Sequence, residues 1–292
     1  MSTVILLAVT GLALGALYFL IAAGISLAFG LMHVLNFAHG AFLTIGAYAG
    51  YLVASGGGDV GTGRFVLMLA AGTLAGALAA VVTELLLIRP LYGNTHAQLL
   101  VTVGLSLALV ALIEELAGSD ARGYHSPGWA NATTEIAGSA IRGSRFLAIG
   151  VAVLVLAALV VFLRRTRYGL IIRAGVENRS MVTALGIDVR RAFTLVFALG
   201  GAAAGLGGVI AGSYFGQVEP RVGTGLFIYA LIVIVIGGLG SLTGTAVAAV
   251  LVGLLQQFLN YYAAGVGDLS VLALLALVLL ARPAGLFRST AS

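Results

Sequence analysis

Long apolar stretches recur along the whole chain and are separated by short polar segments. Most of them approach or exceed the roughly 18 residues that a helix needs to cross a bilayer. This pattern predicts an all-α, polytopic helical membrane protein with a single transmembrane domain over residues 1–292 and eight or nine transmembrane segments. The predicted spans are residues 4–30, 37–54, 65–88, 97–117, 146–163, 191–215, 226–239, 243–262 and 269–281. The span 226–239 is short for a bilayer. Together with 243–262 it forms either two short membrane crossings or one transmembrane helix with a re-entrant segment.

Two hydrophilic segments interrupt this pattern. Residues 118–145 form the largest predicted outer loop, which has too little length and polarity to be a separate domain. Residues 164–190 form the predicted inner loop. Between Arg173 and Asp188, small and apolar residues recur at helical spacing among charged ones, and Gly186 stands where a helix would end. The inner loop therefore contains a predicted short amphipathic helix that lies outside the membrane.

Charged residues are scarce in this chain. The sequence is 61% hydrophobic and 9% charged, whereas a soluble domain carries about 25% charged residues, so a soluble enzyme, a coiled coil and a disordered chain are excluded. There is no cysteine, which excludes disulfides and thiolate chemistry. All 15 positions counted as lysine or arginine are arginine, and a Walker A phosphate loop needs lysine. If transport by this chain uses ATP, another subunit must bind the nucleotide.

The distribution of arginine predicts how the chain is oriented. Seven of the 15 arginines lie between residues 164 and 191, against only two acidic residues. An excess of arginine marks a cytoplasmic loop. If successive spans cross the membrane in opposite directions on either side of this loop, ten arginines lie inside and five outside. The C-terminus is then cytoplasmic. On a nine-span count the N-terminus is extracytoplasmic.

Four polar residues near or within the spans are candidates for a translocation path: Asn36, His39, Gln98 and Thr102. A polar group at membrane depth is costly unless it faces protein or water. Asn36 and His39 would share one face of a continuous helix, although a helix cap at Asn36, with His39 bonded to a neighbouring carbonyl, explains them equally well. Hydrogen bonding between helices is the commoner role for Gln98 and Thr102. A metal site is not expected, because no carboxylate lies near His39.

Ionisable residues inside the spans are too few for an ion-coupled carrier, and the paired aspartates of an intramembrane protease are missing. Glu84 lies five residues before Arg89, where snorkelling toward the membrane surface or an ion pair with that arginine explains it. A membrane passage with no ATP site of its own and one cytoplasmic helix fits a transport subunit that a partner drives.

Several motifs occur in order between Gly11 and Leu286. They are GLALGALYFLIAAGISLAFGLMHVLNFAHGAFLTIGAY (11–48), Glu84 with Arg89-Pro90-Leu91, RAGVENRSMVTALGIDVRRAF (173–193), TLVFALGGAAAGLGGVIAG (194–212) and GGLGSLTGTAVAAVLVG (237–253). Together they resemble the LivH-type permease subunit of branched-chain amino acid ABC importers. The resemblance implies a non-enzymatic permease that forms the translocation path for branched-chain or hydrophobic amino acids in a bacterial inner membrane.

The resemblance also implies partners. These are a second, LivM-like permease, two cytoplasmic ATPase subunits that hold ATP and Mg, and a periplasmic solute-binding protein, while this chain needs no cofactor itself. Related permeases serve urea, short amides or aromatic acids. A self-sufficient channel or facilitator also fits the scarcity of charge, and an intramembrane enzyme that uses His39 is a third hypothesis.

The same resemblance assigns the amphipathic helix to coupling with the ATPase. The implied contact residues are Glu177, Asn178, Met181, Ala184, Leu185 and Gly186. An apolar face with a charged rim suits docking into a groove of a partner. A basic helix held at the surface by anionic lipid is the alternative.

Overall fold

The computed structural model describes residues 2–32, 35–56, 60–184, 186 and 188–287, with the side chains of 31, 32 and 176–180 outside that description. Over these residues the chain is predominantly helical, so the all-α prediction is confirmed. The helices are α1 (Ser2–Met32), α2 (His39–Ala54), α3 (Thr62–Thr83), α4 (Thr95–Ala117), α5 (Gly128–Asn131), α6 (Gly143–Arg165), α7 (Arg167–Ala184), α8 (Val189–Phe215), α9 (Val222–Gly237), α10 (Leu242–Tyr262) and α11 (Val266–Ala281). The helix of α3 runs on through a π-helical segment (Glu84–Ile88) and a 3₁₀ turn (Arg89–Leu91).

Each of the nine predicted spans coincides with a helix, and the polytopic prediction is confirmed. In the described part of the chain, six helices are long and apolar enough to cross a membrane: α1, α3 with its extension, α4, α6, α8 and α10. The helices α2, α9 and α11 have 16 residues each, or about 24 Å at 1.5 Å per residue, which is shorter than the hydrocarbon layer. A turn over residues 238–241 separates α9 from α10, and whether α9 crosses the membrane or is a re-entrant segment stays a prediction.

The helix α8 lies at the centre of the bundle and packs against α1, α2 and α3. Glycines permit this close packing. Gly200 of α8 contacts Gly24 of α1, while Gly205 contacts Gly46 of α2 and Gly72 of α3. A Cβ on Gly205 would overlap the carbonyl oxygen of Gly72. In lipid, helices associate through close approach of their backbones, because the hydrophobic effect provides little driving force for association there.

Two small pairs of strands order the outer loop. β2 (Thr133–Ile136) and β3 (Ser139–Arg142) form a hairpin whose turn residues, Ala137 and Gly138, have φ angles of 50° and 78°, as a tight two-residue hairpin requires. β1 (Arg122–Gly123) pairs with β4 (Gln217–Val218), which follows α8. The Ser139 hydroxyl donates a hydrogen bond to the carbonyl of Ser2, 2.6 Å away. The start of α1 therefore lies at the same face of the bundle as this loop, which we call the outer face.

The opposite, inner face carries α7 and the end of the described chain. Because α1 and α6 both begin at the outer face, their C-terminal ends lie together at the inner face, where α7 follows α6. Gly240, after α9, packs against Gly30 near the end of α1. The N–H of Leu286 donates to the carbonyl of Ile236, 2.8 Å away. The two ends of the described chain therefore lie at opposite faces of the bundle.

Candidate translocation and coupling sites

The chain breaks between α1 and α2, and two of the predicted path residues lie at this break. Asn36 belongs to the turn before α2, where its Oδ1 accepts a hydrogen bond from the N–H of Ala38, 3.0 Å away. His39 is the first residue of α2, and its N–H donates to the carbonyl of Asn36 over 3.2 Å. The two residues do not share the face of one helix, because Asn36 shapes the turn from which α2 starts.

Both side chains are buried inside the bundle, with exposed fractions of 2% for Asn36 and 4% for His39. His39 lies where α1 crosses α8, since a Cβ on Gly24 would stand 2.7 Å from Nε2 of His39 and 2.6 Å from Cα of Gly200. Asn36 Nδ2, His39 Nε2 and the hydroxyl of Ser26 have no hydrogen-bond partner among the described residues. Buried polar atoms nearly always have one. These three atoms are therefore candidates for contact with water or solute.

The starts of two short helices meet beside this break. A Cβ on Gly40 of α2 would stand 2.7 Å from the carbonyl oxygen of Gly223 of α9, and the N–H of Gly223 donates to the Thr44 hydroxyl, 3.1 Å away. Helix N-termini carry partial positive charge. Short helices whose N-termini end inside the bundle are a recurring way for transporters to contact anionic groups. Of the two, only the N-terminus of α2 lies inside the bundle in this way, with His39 as its first residue; the α9 start packs on it at Gly223, but Arg221 just before α9 has a 77% exposed side chain.

Gln98 and Thr102 lie one turn apart on α4. The Gln98 amide donates to the carbonyl of Leu91 over 2.6 Å, and the Thr102 hydroxyl donates to the carbonyl of Leu99 over 3.0 Å. Both side chains are buried on a helix that is otherwise largely exposed. Their hydrogen bonds stay within α4 and the end of the α3 extension, so a place in the translocation path remains a prediction for these two residues.

A buried carboxylate joins the inner end of α3 to α8. Glu84 is 0% exposed and accepts hydrogen bonds from the hydroxyls of Tyr92 (2.5 Å) and Thr194 (2.9 Å) and from Nε of Arg89 (3.3 Å). The ion pair with Arg89 is confirmed, but Glu84 does not snorkel, because these donors hold it inside. Burial and the nearby carboxylate raise the pKa of the Tyr92 phenol well above its usual range, which keeps it a donor. The cluster begins at the π-helical segment, a distortion frequent at functional sites.

The predicted amphipathic helix is present as α7, which packs on α1, α6 and α8 at the inner face. Its bundle-facing side carries the buried residues Ile172, Gly175 and Val182. On the other side Met181 is 63% exposed and Ala184 is exposed. After the helix, Gly186 has a φ of +79° and is also exposed. The side chains of Glu177 and Asn178, and the whole of Leu185, lie outside the described residues.

Comparison with known proteins identifies the family. The family model described as branched-chain amino acid transport system / permease component matches residues 7–282. The chain belongs to this permease family. Similar relatives include the high-affinity branched-chain amino acid transport system permease protein LivH of Salmonella typhimurium, which is 29% identical over 287 residues, covering 94% of this chain and 92% of the relative. The corresponding protein BraD of Pseudomonas aeruginosa is 30% identical over 290 residues, with coverages of 95% and 94%.

A further relative of this permease is named for a different solute. The autoinducer 2 import system permease protein LsrD of Yersinia enterocolitica is 29% identical over 256 residues, covering 78% of this chain and 76% of the relative. The family match and the relatives named for branched-chain amino acid transport confirm the predicted resemblance across nearly the whole chain.

Sequence reasoning missed residues of this permease whose partners lie far away along the chain. Thr194 gave no signal, since a threonine within an apolar helix is common. Asp268 did give one, because it is the only charged side chain between residues 222 and 281. The structure shows why that acid is tolerated: its Oδ1 accepts hydrogen bonds from Tyr229 and Gln256, at 2.9 and 2.7 Å.

Proposed function

We propose that this permease is a membrane subunit of an ATP-driven importer and forms the translocation path for branched-chain and other hydrophobic amino acids across a bacterial inner membrane. The family match over residues 7–282 carries this proposal, supported by relatives of similar length that are named for this transport. Because the chain has no lysine for a Walker A loop, we assign ATP and Mg to partner subunits and no enzymatic activity to this chain.

The proposed importer contains a second, LivM-like permease, two cytoplasmic ATPase subunits and a periplasmic solute-binding protein. The outer face receives the binding protein, and the inner face, with α7 and the C-terminus, lies in the cytoplasm. The arginine-rich segment that contains α7 supports this orientation.

In the proposed assembly, α7 docks into a groove of the ATPase. Its exposed side offers apolar contact surface while its opposite side packs on the bundle, which is the arrangement that helix-in-groove recognition uses. The proposed contact residues are Glu177, Asn178, Met181, Ala184, Leu185 and Gly186.

The helix α8 would transmit motion from α7 to the rest of the bundle. It starts immediately after α7, with Asp188 accepting a hydrogen bond from the N–H of Arg190, 3.0 Å away. One turn on, Thr194 holds Glu84 of the α3 extension, and further along Gly200 packs on α1 beside His39. A shift of α7 would therefore reach both the Glu84 cluster and the break between α1 and α2.

We place the translocation path beside that break, with Asn36 and His39 near the inner gate. Their unpaired buried atoms and the adjacent N-terminus of α2 suit contact with water and with the carboxylate of an amino acid. Gln98 and Thr102 are secondary candidates for the path.

The test is purification of the tagged permease from its native membrane, identification of its partners by mass spectrometry, and reconstitution in proteoliposomes. We expect a second permease and an ATPase to copurify. Radiolabelled leucine should enter only with ATP and binding protein, and valine and isoleucine should compete. Leucine uptake by the chain alone without ATP would replace the proposal with a facilitator. Preferential uptake of urea, amides or aromatic acids would overturn the solute class.

A further inference from the structure

Four polar side chains from four helices form a connected chain of hydrogen bonds, which we call the Asp268 network. The Tyr18 hydroxyl of α1 donates to Gln256 of α10 over 2.6 Å, and the Gln256 amide donates to Asp268 of α11 over 2.7 Å. The Tyr229 hydroxyl of α9 donates to the same Oδ1 over 2.9 Å. The rings of Tyr18 and Tyr229 stack with centroids 5.0 Å apart.

The network has a buried end and an exposed end. Tyr18 and Gln256 are 2% and 5% exposed, whereas Tyr229 is half-buried and Asp268 is exposed. Two donors engage Oδ1 of Asp268, and its second oxygen has no hydrogen bond within the described part of the chain. The network thus fixes the carboxylate and leaves one oxygen directed away from its protein donors.

Asp268 also lacks a counter-ion. It is the only charged side chain between residues 222 and 281, and it forms no ion pair among the described residues. Asp268 stands in the first turn of α11, beside the exposed residues 261–266, where the helix N-terminus favours a carboxylate. Hydrocarbon cannot solvate a carboxylate. The exposed side of Asp268 therefore faces the outer end of the bundle rather than lipid tails.

The same side of α9 leads from the outer face to this carboxylate. Val222, Gly225 and Leu226 lie seven, four and three positions before Tyr229 and so share its helix face. They line an open cleft of about 220 Å³, together with Phe215, Gln217, Glu219 and Arg221. A Cβ on Gly225 would meet nothing within 4 Å, and Ile228 is 54% exposed. Leu226 is buried, so the exposed strip from the cleft toward Asp268 consists of Gly225 and Ile228 beside the half-buried Val222 and Tyr229.

We propose that this face of α9 lines the translocation path and that the free oxygen of Asp268 binds the ammonium group of the transported amino acid. Tyr229 and Gln256 are positioning residues that hold the carboxylate, and the apolar side chains of α9 contact the aliphatic side chain of the solute. An ammonium–carboxylate hydrogen bond is charge-assisted and among the stronger polar contacts. The site rests on the proposed function, since it requires that the solute is a zwitterionic amino acid.

The ligand chemistry can be tested on the assembled permease and ATPase complex in nanodiscs, with leucine as the probe. Leucine should bind wild type and should be displaced by 3-methylbutylamine, which keeps the ammonium group, better than by 4-methylpentanoate, which lacks it. Asp268→Asn should raise the leucine Kd at least about tenfold, with partial rescue by Asp268→Glu. The matched control is Glu115→Gln, which removes an exposed acid at the outer end of α4 and should leave Kd unchanged.

Several outcomes would overturn the site. These are absence of leucine binding to wild type, equal Kd values for wild type and Asp268→Asn, or better displacement by the carboxylate than by the amine. A lower melting temperature in Asp268→Asn with unchanged Kd would assign the network a structural role only. If wild-type proteoliposomes import leucine with ATP and Asp268→Asn binds leucine with the wild-type Kd, the ammonium site at Asp268 is wrong but the proposed function stands. If wild type imports no amino acid, the proposed function fails with it.

The position of the path can be tested independently because the natural chain has no cysteine. In proteoliposomes that hold the complete importer, Ile228→Cys should react with a charged methanethiosulfonate reagent, and saturating leucine with binding protein should slow the reaction. Leu280→Cys is the control, since this α11 residue is 84% exposed and should face lipid. Equal labelling of both positions, or no labelling of Ile228→Cys, would show that lipid or a partner subunit covers the face and would overturn the proposed path.

Discussion

The hydroxyl of Thr194 lies 2.9 Å from the carboxylate of Glu84, although 110 positions separate the two residues in the sequence. Thr194 stands near the start of α8, directly after α7, and Glu84 begins the π-helical extension of α3. The contact therefore ties the helix that follows the proposed coupling element to a second membrane helix. Because Glu84 is fully buried, every donor it loses leaves a charge less well compensated.

We expect Thr194→Val to lower the free energy of unfolding by about 1–3 kcal/mol, the usual cost of leaving a buried charged acceptor atom without a donor. In this variant Oε2 of Glu84 loses its hydrogen bond, while Tyr92 and Arg89 still donate to Oε1. The measurement is unfolding of the purified permease by SDS titration in mixed micelles. Thr73→Val is the matched control, because the Thr73 hydroxyl only donates to the Leu69 carbonyl one turn back, 2.6 Å away. Equal losses in both variants would contradict a special role for the contact between Thr194 and Glu84.

A second prediction concerns the close packing of α8 on α3. Gly205→Ala should prevent the native approach of these helices, because the added Cβ would overlap backbone atoms of Gly72, which cannot move away as a flexible side chain can. We expect a loss of about 3 kcal/mol or more, beyond the usual range of single substitutions. Gly104→Ala on α4 meets nothing within 4 Å and should be neutral or slightly stabilising. A fluorescence-based melting assay in detergent compares them, and normal stability of Gly205→Ala would contradict the packing.

His39 provides a test of the inner part of the path. We expect His39→Ala to reduce the rate of ATP-dependent leucine uptake by about tenfold or more, because it removes a polar group at the crossing of α1 and α8. His96→Ala is the matched control, since His96 is exposed at the start of α4 and should transport normally. Initial uptake rates in proteoliposomes, at equal amounts of folded protein, provide the measurement. Unchanged uptake rate and affinity in His39→Ala would remove His39 from the path.

The end of α7 provides a test of coupling. Gly186 has a φ of +79°, a conformation that costs a residue with a Cβ about 1 kcal/mol or more. Gly186→Ala should therefore reorient the end of α7 and strongly reduce solute-stimulated ATP hydrolysis while the membrane helices stay folded.

Gly93→Ala is the control for backbone strain alone. Gly93 has a φ of +94° in the turn between the α3 extension and α4, and an added Cβ there meets nothing within 4 Å. ATPase assays of the reconstituted importer compare the two variants. If both lose stimulation equally, strain at the inner face rather than docking of α7 explains the effect. Normal stimulation in Gly186→Ala would argue against the proposed coupling helix.

Much of the architecture could be predicted from hydrophobic pattern alone. Each predicted span coincides with a helix, and Gly186 follows the end of α7 as expected. These features depend on local sequence, because a long apolar stretch in lipid must satisfy its backbone hydrogen bonds internally and so becomes helical. The relation of Asn36 to His39 was less predictable, since three-residue spacing indicates a shared face only if the helix is continuous, and here it breaks.

The sequence by itself determined the kind of protein: the apolar spans, the helical inner loop with its arginines, and the motifs of a permease family. Only the tertiary structure decided which polar groups meet. Thr194 reaches Glu84, and Asp268 reaches Tyr229 across 39 positions, because the packing of helices at their glycines sets these pairs. Hydrophobic periodicity specifies which residues become helical, whereas the identity of a helix's neighbours depends on the shapes of surfaces that are distant in the chain.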